Sequence, residues 1–235
     1  MANNLNTPSM KPQFNNCAIA FMLFFSISGY CQKTDSEQTL VDRTSITTFD
    51  LRSKELVGSI YINEAFLPAK LSYSQDQYLI RYNAYQDEME IEKNGNPYHL
   101  SKNLSYSIYF EGINKTYQVY NYLNNKETVP GFFVVLFNGD NISLLIKEKI
   151  KFYDEVKAKN GYDKYKPPTL KRVADEFYIG YKNKSAKEFP NKKKDILALF
   201  ASKAEEIGTY MNANKLGFKN QEDLLQIFRY YDTLK

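Results

Sequence analysis

Between Gly58 and Val156 apolar residues recur at every second position, and turn chemistry breaks the runs into short segments. Tyr78, Ile80, Tyr82 and Ala84 alternate with Leu79, Arg81, Asn83 and Tyr85, and Leu104, Tyr106, Ile108 and Phe110 repeat the pattern. A period of two sends successive side chains to opposite faces, so each run predicts a strand with two different faces. Asn94-Gly95 separates Met89–Glu92 from Pro97–Leu100, and both residues of that pair tolerate positive φ, which makes it a hairpin signal. Asn138-Gly139 does the same between Phe132–Phe137 and Ile142–Ile146, and Gly112 to Lys115 marks a further turn. Hairpin spacing of this kind predicts an antiparallel meander and not βαβ units. Phe132–Phe137 is apolar on both faces, so it belongs in the middle of the sheet with both sides covered. Twenty Tyr and sixteen Phe fit the same reading, because aromatic side chains suit a pleated, half-buried surface.

The pattern changes near Lys157. Residues 157–171 include Asn160-Gly161 and Pro167-Pro168 and read as a polar connector within a β-rich body spanning 58–188, with Phe177 to Tyr181 as a last strand. From 189 to 235 the period becomes helical. Ile196, Leu197, Phe200, Ala204, Ile207, Tyr210 and Met211 share one face, with Asn191 as the expected N-cap and Gly217 as the stop. Asn220, Glu222 and Asp223 form the cap and acidic first turn of a second helix, whose stripe is Leu224, Leu225, Phe228, Tyr231 and Leu234. The expected fold class is therefore α+β: an antiparallel meander, forming a sandwich or partly closed barrel, followed by a C-terminal helical hairpin packed on the sheet.

The amino terminus reads as an export signal. Cys17 to Ile27 is a mostly apolar run, far short of the roughly 20 residues a permanent membrane helix needs. Small residues Ser28 and Gly29 follow, then Tyr30, Cys31 and Gln32, after which the chain turns polar, so cleavage is expected near Cys31 and Gln32. Residues 1–31 are then a signal peptide, and 32–57 a mobile mature terminus leading into the first strand. Translation from Met10 would put Lys11 in the charged n-region. A lipidated Cys31 would need a Leu-like residue at Ser28 and a small residue at Tyr30, so simple cleavage is preferred. With Cys17 and Cys31 in or beside the signal, the mature body has no thiol, and an exported domain without disulfides must rely on its core.

Composition then removes several chemistries. His99 is the single histidine, so no two-histidine zinc site exists, and no G-x-S-x-G elbow accompanies it to build a triad. No cofactor or metal is expected. Asp87, Glu88, Glu90 and Glu92 form the densest acidic cluster. On a strand Glu88, Glu90 and Glu92 share one face about 7 Å apart, a spacing open to paired-carboxylate hydrolysis, with Glu111 as a further candidate. Cross-strand ion pairs with Arg81, Lys93 or Lys102 are their expected fate.

The net charge of +4 is too small to make nucleic-acid binding the default. It averages an acidic part up to Ile146 and a basic part from Lys147 to Lys194. Lys192, Lys193 and Lys194 stand at a helix start, where the macrodipole favours acids, and so mark a candidate contact for an anion or an acidic partner.

The phrases G-S-I-Y-I-N-E-A-F at Gly58–Phe66 and R-Y-N-A-Y-Q-D-E-M-E at Arg81–Glu90 resemble a group of uncharacterised exported proteins of the Bacteroidota. The ending, Lys192 to Phe200 with Asn214-Lys215-Leu216 and Asn220 to Leu225, is similar to their carboxyl-terminal pattern. The resemblance implies a Gram-negative address in the periplasm, at the outer membrane or outside the cell, with no transmembrane segment after processing, and it assigns no reaction. The expectation is a non-enzymatic binding or assembly module whose partner is an envelope protein or an anionic envelope component. The alternatives are a carboxylate-dependent glycan or peptidoglycan hydrolase and a carrier of an apolar ligand inside a closed sheet.

Overall fold

The Asn94 and Gly95 backbones have φ of 55° and 77°, the left-handed pair that a two-residue hairpin of the right twist requires. The computed structural model describes residues 40–42, 55–160 and 162–234, all within the compact unit Asp35–Lys235. Its strands are β1 (Leu40–Asp42), β2 (Leu67–Leu71), β3 (Gln77–Asn83), β4 (Glu88–Lys93), β5 (Asn96–Leu100), β6 (Ser107–Phe110) and β7 (Lys115–Asn124). They continue as β8 (Glu127–Asn138), β9 (Ile142–Lys147), β10 (Ile150–Tyr153), β11 (Thr169–Arg172), β12 (Glu176–Tyr181) and β13 (Ser185–Glu188). Three helices follow, α1 (Lys193–Ala198), α2 (Ala204–Asn214) and α3 (Gln221–Thr233).

The main sheet runs β1-β5-β4-β3-β2-β6-β7-β13-β12-β9-β8, and β8 pairs back to β7. The last five strands thus close into a ring while the first six form an open extension. All neighbours in the ring are antiparallel except β13 and β7. An up-and-down ring of five strands ends with its first and last strands pointing the same way, so the closing pair has to be parallel. That pair is short, Ser185 with Asn121 and Ala186 with Tyr122. Leu136 is the extra residue where the β8–β9 register shifts, a bulge that bends β8 as the ring closes.

Each face of the ring is buried against something different. Its interior holds Tyr120, Tyr122, Phe133, Leu145, Tyr178 and Ala186. Phe133 lies at the centre, with edge contacts of 5.2 Å to Tyr122 and 4.9 Å to Tyr178 between ring centroids. Outside, Tyr117, Val119, Phe132, Val134 and Ile146 pack against Ala69, Leu71, Ile80, Tyr82, Met89 and Ile108 of the open extension. A third cluster joins Ile142, Leu144 and Ile179 to Ile196, Phe200, Ile207, Met211, Leu224, Ile227 and Phe228 of the helices. The expectation for Phe132–Phe137 is met in detail: Phe133 points into the ring and Phe132 points out of it.

Four elements differ from the sequence reading. Leu40–Asp42, inside the expected mobile terminus, pairs with β5. The polar connector ends before residue 171, because Thr169–Arg172 is β11, paired with β10, after Pro167 and Pro168 have set an extended backbone. The first helix of the hairpin is two pieces: Ala201, with φ of 48°, interrupts it between α1 and α2. Its ends also shift by a residue or two, for Lys192 and not Asn191 is the N-cap, and Lys215, at φ 55°, ends α2 ahead of Gly217.

Asn220 caps α3 as expected, its side chain accepting the Asp223 amide at 2.7 Å. Asn220→Ala is expected to cost about 1 kcal/mol, read as a lower urea midpoint at unchanged slope, while Asn220→Asp is expected to be nearly neutral.

Candidate functional site

Leu145 faces into the ring from β9, and the next inward position is Lys147. Its side chain is 2% exposed. The Nζ donates to Asp87 Oδ1 at 2.6 Å and to the Phe132 carbonyl at 2.8 Å, and lies 4.7 and 5.1 Å from the ring centroids of Phe133 and Tyr122. Burial pushes the ammonium down to about 8 although Asp87 pulls the other way. Asp87 occupies the turn between β3 and β4 at φ 59°. Its Oδ1 also accepts the Tyr82 hydroxyl at 2.7 Å and the Phe132 amide at 3.2 Å, and its Oδ2 faces Lys102 Nζ at 3.2 Å.

Glu148, the next residue along, is a second node facing away from the first. It is 1% exposed and accepts from the Tyr117 hydroxyl, from Lys115 Nζ at 2.9 Å and from an Arg172 terminal nitrogen at 2.8 Å. The rings of Tyr82 and Tyr117 lie 5.2 Å apart, so the two nodes meet across an aromatic contact. Burial first, and the neighbouring carboxylates second, raise both phenols well above their ordinary value. Among the described residues no buried side-chain polar atom lacks a partner.

The acidic cluster singled out in the sequence is divided among these pairs. Glu88, Glu90 and Glu92 do share one face of β4, with Met89 and Ile91 on the other. Glu90 is fully enclosed: Arg81 Nε donates to it at 2.8 Å and the Tyr61 hydroxyl at 3.1 Å, while the guanidinium stacks 3.8 Å from the Tyr61 ring centroid and 4.2 Å from that of Phe66. Glu88 meets His99 Nδ1 at 3.1 Å, and Glu92 is half-buried. Glu111 pairs with Lys70 across 2.5 Å. Arg81 and Lys102 are thus ion-pair partners of the cluster, as expected, and Asp87 leaves the strand for the turn.

Lys192, Lys193 and Lys194 are exposed and form no ion pair among the described residues. Lys193 borders an open cleft of about 660 Å³ where the ends of β12 and β13 meet α1 and the α2–α3 link. Phe177, Phe189, Ile196 and Phe218 supply its apolar lining, and its charged rim mixes Asp175, Glu176 and Glu188 with Lys193 and Lys219. The expected cleavage position, Cys31 and Gln32, lies outside the described residues. So do Cys17, Met10 and Lys11.

Lys147 and Glu148 were hidden in the sequence because they open the basic stretch. The available signal was the run Ile142–Ile146, apolar at every position but Ser143, which predicts that whatever follows directly is still inside. Among the described residues no group of His, Cys, Asp and Glu is arranged to hold a metal ion, and no helix is long and apolar enough to cross a membrane. Comparison with protein-family models, with curated proteins and with solved structures finds no match to this chain.

Proposed function

We propose that the protein is an exported, non-enzymatic module of the cell envelope, which binds an envelope protein or an anionic envelope component at the cleft beside Lys193. The observation that carries this reading is the division of the charged groups. Of the carboxylates suited to acid–base work, Glu90 is paired with Arg81 and Glu148 with Lys115 and Arg172, while Glu88 lies against His99 Nδ1. Lys192, Lys193 and Lys194 remain unpaired, and Lys193 stands at the rim of a concave, partly apolar surface. A cleft of this size with an apolar lining and a few charges at its edge suits recognition.

A hydrolase pairing Glu88 with Glu90 finds no support, since Glu90 is enclosed against the Arg81 guanidinium and cannot reach a substrate. A carrier with its ligand inside the ring finds none either, because Tyr120, Tyr122, Phe133 and Tyr178 fill that space.

Fractionation of the native cells is expected to place the chain in the envelope or the medium, and recovery in the cytoplasm would overturn the export reading. Co-purification from envelope extracts is expected to weaken with rising salt and to fall at least about tenfold with Lys192→Gln, Lys193→Gln and Lys194→Gln combined. Capture indifferent to both would remove the lysines from the binding surface.

A further inference from the structure

We propose that Lys147 and Asp87 are joined by an isopeptide bond formed by the chain itself. The pair has the features such a bond needs. Lys147 Nζ lies 2.6 Å from Asp87 Oδ1, with the lysine enclosed among aromatic rings and the aspartate mostly buried beside it. A Cβ at Gly131 would lie 2.8 Å from Lys147 Nζ and 2.8 Å from Asp87 Oδ2, so the glycine keeps open the space in which the two groups meet. The Phe132 carbonyl accepts one Nζ proton and fixes the direction of approach. Tyr82 and the Phe132 amide both donate to Oδ1, two donors aimed where negative charge develops when Cγ becomes tetrahedral.

The step balances without a co-reactant. Burial has already lowered the proton affinity of Lys147, which brings its neutral, nucleophilic amine within reach. The Nζ lone pair attacks Cγ while the carbonyl electrons move onto Oδ1. Collapse breaks the bond from Cγ to Oδ2. Nζ gives up two of its three protons, and both leave with Oδ2 as water. Lys102, 3.2 Å from Oδ2, is placed to hand over a proton there and recover one from Nζ. One N–C bond forms, one C–O bond breaks, and nothing is oxidised or reduced. The product would tie the β3–β4 turn of the open extension to β9 of the ring, in a chain whose two cysteines both lie within its first 31 residues.

Intact-mass measurement of the purified full chain is expected to fall below the mass of its sequence by one water, about 18 Da, while Lys147→Arg carries its full mass. Trypsin is expected to skip Lys147 and to release one branched peptide containing both residues. Asp87→Asn, which keeps the shape of the site, is expected to reach the same bond with loss of ammonia, about 17 Da. Wild-type protein at full mass with two separate linear peptides overturns the proposal. So does a mass deficit that maps to any other pair.

Discussion

Raising the pH above 10 is expected to unfold the protein in one cooperative step at about pH 11–12. The phenols of Tyr82, Tyr106, Tyr117, Tyr120, Tyr122 and Tyr178 are all raised, in each case chiefly by burial. Tyr122 is pushed up to about 12. In the unfolded chain the same groups release their protons near 10. Above that pH the folded state binds more protons than the unfolded state, so stability is complete below pH 10 and is lost as the pH climbs toward the folded values. Each phenol withdraws up to about 1.4 kcal/mol per pH unit, and six acting together withdraw up to about 8 kcal/mol per unit, comparable with the about 5–15 kcal/mol that holds a typical domain. Circular dichroism and phenolate absorbance followed together check this. The buried phenols are expected to ionise only as the β signal disappears. Gradual ionisation near pH 10 with the sheet intact would show that these rings are reached by water in the native state.

That vulnerability follows from how the ring is filled. Five strands enclose so narrow a space that a few aromatic side chains occupy it, and their hydroxyls must be accommodated at its ends. Tyr120 donates to Gln118 at 3.1 Å, and Lys184 reaches the same Gln118 oxygen at 2.8 Å with its Nζ 4.8 Å from the Tyr120 ring centroid. Lys147 lies over Tyr122 and Phe133 in the same manner. Tyrosine excess in the composition is therefore partly the material of the ring, besides serving as strand formers in the open extension.

Local chemistry made part of this legible. Asn94-Gly95 announces its hairpin because few other pairs hold two positive φ angles, and the double-faced run Phe132–Phe137 announces a strand covered on both sides. Asn220 announces a helix start three residues ahead of the amide it accepts. Ring closure left no such mark. It depends on Ser185–Glu188, a four-residue strand with one buried apolar side chain, Ala186, whose pairing with β7 spans two residue pairs. The Asp87–Lys147 contact was equally invisible, since it joins residues 60 apart and no spacing rule links them. The acidic cluster shows the opposite case: its residues were found, while their roles were set by Arg81, Lys102, Lys147 and His99 arriving from other parts of the chain.

Glu148→Ala is expected to cost about 3–5 kcal/mol, the largest loss from any single substitution of a charged residue outside the Asp87–Lys147 pair. The carboxylate is enclosed, and three donors converge on it from β7 and β11; the substitution would leave Lys115 without its carboxylate and Arg172 with Asp175 alone. Lys115 and Arg172 are partly exposed and can recover water, which draws the figure toward the lower end. The Tyr117 hydroxyl cannot, because the residue is 2% exposed, and it would be left as a buried donor without an acceptor. Tyr117→Phe, by contrast, removes one donor and leaves the carboxylate with both cations, so about 1 kcal/mol is expected. Urea titrations of the two single variants and the double variant measure the difference, with midpoints shifting at constant slope. The double variant is expected to lose less than the sum of the two, since it removes the acceptor and the stranded donor together. Equal losses from Glu148→Ala and Tyr117→Phe would mean that the cations contribute nothing to the node and that the hydroxyl alone holds Glu148 in place.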